Sequence, residues 1–398
     1  AAITEAQQDH HHSRWERLGT RLANAAVSDI RAMTRACDNV GGINLGQGVC
    51  DLPTPAPVAD AAVAAIRANK AIYAPPEGVP ALREAVADKV RADYDLNVDP
   101  ASEVVISLGA TGGFAASVLA LLDPGDEVIL FEPYYGYHYN TVVGLGLTPV
   151  LVPMKPPAWT LDPSDLARAV TPRTRAVVLC TPGNPSGKVW SPAELDALGA
   201  FCIEHDLTVL TDEIYEHIVY DGVKHTPMAT RPGMRARTVT ISGCSKTFAV
   251  TGWRVGYVIA PSDAARRIAV AHDLLYVCPP TPLQHACAAG LRMPKEYFEG
   301  LSGSYQKKRD ILCNALRDVG LTPYVPAGAY YVLADARPLV CASAREAAMK
   351  LLDRTKIASV SGASFYKDPV GEDLLRFCFA KDDNVLEEAA RRLRGLSL

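Results

Sequence analysis

Residues 104–122 read VVISLGATGGFAASVLALL, uncharged throughout and nearly long enough to cross a bilayer as one helix. Hydropathy alone nominates a membrane span there, but the interior of the stretch argues otherwise. The β-branched run EVVIS reads as a buried strand, LGATGG as a tight loop and FAASVLALL as a helix, ended by the turn DPGD at 123–126. Strand, glycine loop and helix are the repeating unit of an α/β sheet.

The same pattern extends outward in both directions. EVVISL, DEVILF, RAVVLC, LTVLTD, TVTISG and VGYVIA, spread over residues 103–260, are each too short for a helix and rich in Val, Ile or Leu. Continuous apolar strands interleaved with helical segments imply a mostly parallel sheet covered on both faces. This α/β core is expected over residues 55–295. After LRMPKEYFEG the pattern changes to a long charged helix, YQKKRDILCNALRDVG, and to strand-like pieces, GAYYVLAD and LLRFCFA. A smaller α+β domain is therefore expected over residues 296–398. Residues 1–54 are expected to supply an N-terminal arm and a segment, INLGQG included, that contributes to the smaller domain.

Composition narrows the function. The formal net charge of −4, with both signs spread along 398 residues, leaves no basic patch for nucleic acid or an anionic membrane surface. Ten cysteines lie scattered without a CxxC pair, which fits reduced thiols in a cytoplasmic protein and no metal site. DHHHSRW at 9–15 reads as a solvated arm or an expression remnant rather than a chelator, and no signal peptide is expected. Small-molecule chemistry is the expectation.

In α/β sheets ligands sit beyond the carboxyl ends of the strands, so the residues following each strand carry the functional argument. Gly109-Ala110-Thr111-Gly112-Gly113 follows VVIS and leads into a helix, where free amides suit a phosphate; a plain tight turn is the alternative. Asn184 lies in TPGNPSGKVW, and Asp212 and Tyr215 in DEIYEHIVY. A strand-end Asp in apolar surroundings either finds a cationic or hydrogen-bonding partner or caps the next helix. Lys246, in SGCSKTFAVTGWRVGY at 242–257, is either a desolvated nucleophile or a lysine reaching for solvent.

Together, and in this order and spacing, these segments resemble the class I/II aminotransferases of fold type I, which bind pyridoxal 5′-phosphate (PLP). The resemblance covers nearly the whole chain and extends to NLGQGVCDLPTP, IYAPPEGVPALREAVA, LLDPGDEVILFEPYYGYHY and LLRFCFA. Through NLGQG and TGWR it is nearest the branch of kynurenine, glutamine and aromatic aminotransferases. The resemblance implies that Lys246 forms the imine with PLP, that Asp212 pairs with the ring nitrogen, and that Asn184 and Tyr215 bond the ring's phenolic oxygen. Gly109, Ala110, Thr111, Ser245 and Arg254 are implied around the phosphate, and Tyr135 on the ring face. Tyr73 would reach the phosphate of a second subunit, implying a homodimer with shared sites. Arg376 would clamp the substrate α-carboxylate, with Gly48 and Asn184 beside it.

The chain departs from aspartate-type members, which have a serine three residues before the lysine. Here Gly243 stands there, between Ser242 and Ser245. The activity implied is transfer of an amino group from an L-amino acid to a 2-oxo acid by a ping-pong route. A PLP-dependent lyase or cyclase of amino-acid or natural-product metabolism is the alternative, and a non-catalytic PLP-binding sensor is disfavoured by the retained Lys246.

Overall fold

The computed structural model describes Thr20 and residues 29–396, so the DHHHSRW stretch lies outside the described residues. Eight strands form the large sheet: β1 (Val104–Leu108), β2 (Glu127–Glu132), β3 (Thr148–Lys155), β4 (Thr160–Leu161), β5 (Thr174–Cys180), β6 (Thr208–Asp212), β7 (Thr238–Gly243) and β8 (Val255–Ile259). Their order is β1-β8-β7-β6-β5-β2-β3-β4. Strands β7, β6, β5, β2 and β3 pair in parallel; β8 is antiparallel to both its neighbours, and β4 is an antiparallel edge.

Alternate residues of each strand feed a core on each face. Ile129, Val177, Leu179 and Val209 join one cluster, and Val128, Leu130, Ala176, Val178 and Leu210 another on the opposite side. Both faces being covered, the strands read as unbroken apolar runs. The 104–122 stretch divides into β1 and a helix, Gly109–Leu121, with no loop between them. The expected tight loop LGATGG is thus the first turn of the helix. Glycine is needed because a Cβ on Gly113 would lie 2.8 Å from Ser107 Oγ and 2.9 Å from Val258. Among the described residues no helix is long and apolar enough to cross a membrane.

The two strands at one edge, β3 and β4, escaped the sequence reading. Strand β3, TPVLVPMK, carries Pro149 and Pro153 and is only partly buried, so it lacks the continuous apolar signature of its neighbours.

Beyond the large sheet, β9 (Thr322–Tyr324), β10 (Tyr331–Asp335), β11 (Val360–Ser361) and β12 (Leu374–Cys378) form an antiparallel sheet in the order β9-β10-β12-β11. The helices Lys295–Asp318, Ala344–Thr355 and Asp383–Arg394 pack with it. Ile43–Asn44 pairs in parallel with Ile357–Ala358, and Leu45 O accepts from Cys378 N at 2.6 Å. One apolar cluster runs from this sheet to Ile214, Tyr215 and Ile218, so the two sheets share a core where the turn after β6 lies between them.

Candidate active site

The carboxyl ends of β1, β2, β5, β6 and β7 open on a cavity of about 450 Å³. Ala110, Thr111, Tyr135, Asn184, Asp212 and Tyr215 line it, each at or just beyond the end of one of these strands, and Ser245 and Lys246 follow β7. Arg254 reaches the same edge because β8 runs antiparallel and so begins where its neighbours end. Gly48 and Arg376 close the cavity from the smaller sheet. Of the residues singled out from sequence, Gly109 stands behind this lining and Tyr73 lies outside it, 82% exposed.

Lys246 is partly buried, with its Nζ 5.3 Å from the Tyr330 ring centroid and 5.8 Å from that of Tyr215. Loss of hydration pushes its ammonium down to about 8, so far more of it is neutral and nucleophilic near neutral pH than of an ordinary lysine. Asp212 is buried and held from two sides, by His138 Nε2 at 3.0 Å and the Ile214 amide at 3.2 Å. The Tyr215 hydroxyl donates to that of Tyr331 at 3.3 Å, and burial raises its phenol well above the usual range. It remains a proton donor throughout the working pH range.

Arg376 is 1% exposed on the central strand β12. Its guanidinium donates to Asn184 Oδ1 at 3.0 Å and Gly46 O at 2.7 Å, and lies 4.3 Å from the Tyr331 ring and 4.7 Å from that of Phe365. Its Nε has no hydrogen-bond partner, and no carboxylate among the described residues pairs with it. A buried guanidinium without a counter-charge is a vacancy for an anion, and its planar fork suits a carboxylate.

The fit of a phosphate-bearing cofactor is decided by three glycines. A Cβ on Gly243 would lie 2.8 Å from Gly256 Cα, one on Gly256 2.6 Å from the Gly109 carbonyl carbon, and one on Gly109 2.6 Å from Arg254 Nη2. Three backbones are thereby pressed together, bringing the N-terminus of the Gly109–Leu121 helix against Arg254. Helix dipole, free amides and guanidinium converge as a phosphate requires. The close approach also leaves no room for a side chain at 243, between Ser242 and Ser245. Ser242 donates to Glu216 at 3.1 Å on the far side of the sheet, whereas Ser245 lines the cavity. With an amine for the aldehyde, a buried carboxylate and a phenol, the donor set fits PLP.

Several cavity residues were not singled out from sequence: His138, Phe114, Tyr331 and Gln47, with Ile30 and Arg31 at the N-terminal helix Asp29–Asn39. His138 sat in view within PYYGYHY, but its partner Asp212 is 74 positions away.

Comparisons with known proteins agree with this geometry. A family model described as aminotransferase class I and II matches residues 40–393. A probable N-succinyldiaminopimelate aminotransferase of Mycobacterium tuberculosis is 35% identical over 95% of this chain and 98% of its own length. The solved structure of that activity's enzyme from the same organism superposes with a TM-score of 0.92, at 36% identity, over 95% of this chain and 99% of its own. An Escherichia coli protein identified as a methionine aminotransferase also gives 0.92, at 34% identity and coverage of 95% and 99%.

Proposed function

This chain belongs to the class I and II aminotransferases and is a PLP-dependent enzyme that moves amino groups between amino acids and 2-oxo acids; from that premise we propose how its own residues divide the work. The relatives named above are all transferases, so the lyase or cyclase alternative is not favoured. When bound, PLP supplies an electron sink for the bond broken at the substrate's α-carbon.

Lys246 would hold the cofactor through its amine, and its Nζ is the base placed to take a proton from the substrate Cα and return it. Asp212, oriented by His138, would pair with the ring nitrogen and favour its protonated form. Asn184 and Tyr215 would supply hydrogen bonds to the phenolic oxygen, and Tyr135 an aromatic face for the ring. Ala110, Thr111, Ser245 and Arg254 hold the phosphate, with Gly109 giving Arg254 room. Arg376 clamps the α-carboxylate beside Gly48 and Asn184, leaving the α-hydrogen as the group to be removed. The observation that carries this reading is the buried, carboxylate-free guanidinium of Arg376 over a cavity whose floor is a depressed lysine. Borohydride reduction of the holoenzyme, followed by peptide mapping, is expected to leave the pyridoxyl group on Lys246; finding it on another residue refutes the assignment.

A homodimer with shared sites is supported by the exposed apolar side chains Ile72, Tyr73 and Leu274, at 77%, 82% and 80% exposure. Mixing inactive K246A with inactive Y73A subunits is expected to restore part of the activity if Tyr73 serves its partner's site. Ile30, Val49 and Tyr137 at the cavity mouth support an uncharged or aromatic donor side chain, which a panel of donors and 2-oxo acids tests. All ten cysteines are free, which supports a reducing, cytoplasmic setting.

A further inference from the structure

The turn that carries Asp212 and Tyr215 into the cavity carries two more carboxylates away from it. Glu213 and Glu216 are 1% and 7% exposed and line a separate void of about 10 Å³, too small for any ligand beyond a single water. Glu216 accepts from the Lys89 ammonium and from the hydroxyls of Tyr94 at 2.6 Å, Tyr257 at 3.0 Å and Ser242 at 3.1 Å. Glu213 is met by His225 Nε2 at 2.9 Å, the Thr211 hydroxyl at 3.1 Å and the Met228 amide at 3.2 Å. The turn itself is closed by Glu216 N to Glu213 O at 3.0 Å and Ile218 N to Tyr215 O at 2.8 Å.

Stability alone does not account for this cluster. A buried ion pair roughly breaks even with well-packed apolar residues of the same shape, and often loses to them. What it adds is direction, which apolar contact lacks. Lys89 and Tyr94 come from the helix Pro80–Tyr94, Ser242 from β7 and Tyr257 from β8, so three elements are pinned to one carboxylate. Strands β7 and β8 flank the segment 244–254 that holds Lys246 and Arg254, and Glu216 is the neighbour of Tyr215. Burial by itself would raise the Glu216 carboxyl, but the Lys89 charge overrides it and holds the group well below the usual carboxylate range. Three more groups face the pair: Asp93, 3.8 Å from Lys89; His225; and His217, which burial drives down to about 3.

We propose that Lys89 and Glu216 are positioning residues: from behind the sheet they fix the Tyr215 hydroxyl relative to Lys246 and so tune the proton affinity of the Lys246 nitrogen in the holoenzyme. The proposal rests on the role given above to Tyr215. Its test is the pH titration of the cofactor's visible absorbance, together with the thermal unfolding midpoint. K89M and E216Q are expected to move the absorbance titration by roughly one pH unit, the size of one weakened hydrogen bond to one of two protonation states, in the direction that Y215F moves it. K89R should restore most of the parent profile. Y94F, which removes one hydroxyl and leaves the ion pair, should move it less in the same direction, and it serves if E216Q fails to fold. Lowered midpoints with a parent-like absorbance titration in K89M, E216Q and Y94F, while Y215F shifts, overturn the proposal and leave the Tyr215 role standing. A parent-like Y215F overturns both.

Discussion

Substituting Gly48 by alanine tests the way the two sheets close on the substrate site. A methyl group at Gly48 would lie 2.8 Å from Tyr331 Cζ and 3.1 Å from its Cε1, well inside contact distance. Tyr331 cannot simply swing aside, because it is 3% exposed, its hydroxyl accepts from Tyr215 and its ring lies 4.3 Å from the Arg376 guanidinium. Gly48 is equally fixed, its carbonyl accepting from the Tyr330 hydroxyl at 3.0 Å. Overpacking of this kind costs about 1–3 kcal/mol. Displacing Tyr331 also forfeits a hydrogen bond worth about 1 kcal/mol and a cation–π contact of about 0.5–2 kcal/mol. If about 2 kcal/mol of this falls on substrate binding and the transition state, kcat/KM drops roughly 30-fold. The thermal midpoint should fall as well. The assay is the single-turnover amino-donor half-reaction of G48A beside Y331F and the double variant. Y331F should lose only a few-fold, and the double variant should be less damaged than the sum of the two, since removing the hydroxyl relieves part of the clash. A G48A enzyme within twofold of the parent would refute the close approach of Gly48 to Tyr331.

The remaining predictions concern charge. Cofactor-free enzyme should capture PLP at a rate that climbs about tenfold per pH unit while Lys246 is mostly protonated and levels off above its depressed value of about 8; a climb that continues to an ordinary lysine value counts against a desolvated amine. Replacing Arg376 by methionine should raise KM for amino and 2-oxo acid alike on the order of 100-fold, through loss of a charged paired hydrogen bond. The same variant should unfold at a higher temperature than the cofactor-free parent, and a lower midpoint would mean that the guanidinium is compensated after all.

Much of the fold was legible because a sheet covered on both faces leaves an unbroken apolar run in each strand. Six such runs became strands of the large sheet, whereas β3, with two prolines and partial exposure, gave no such signal. Segments of the candidate site were legible because most of its residues stand at or shortly beyond the ends of the large sheet's strands. What they touch was not. His138 and Asp212 are 74 positions apart and Lys89 and Glu216 are 127, and only the finished sheet puts them together. The choice between Ser242 and Ser245 likewise turned on which face of β7 each one meets. Alternation along the strand fixes that only once its partner residues are known.

The treatment of buried positive charge separates the site from the rest of the molecule. Lys89, Lys188, Lys308, Arg309 and Lys381 are all buried, and each has a carboxylate within 3.5 Å: Glu216, Glu194, Asp383, Asp221 and Asp51. Arg376 is more deeply buried than any of them and has none among the described residues. The same chain that neutralises cations elsewhere leaves this one to amide and carbonyl oxygens, which lower the cost of desolvation without cancelling the charge. An uncompensated guanidinium is destabilising until an anion arrives, so the energy of that charge is held over for binding. By linkage, a 2-oxo acid that pairs with Arg376 must then raise the unfolding midpoint of the holoenzyme as its concentration increases past its dissociation constant. Removing the arginine must abolish the rise, while the variant, with Lys246 and Arg254 intact, is expected still to take up PLP.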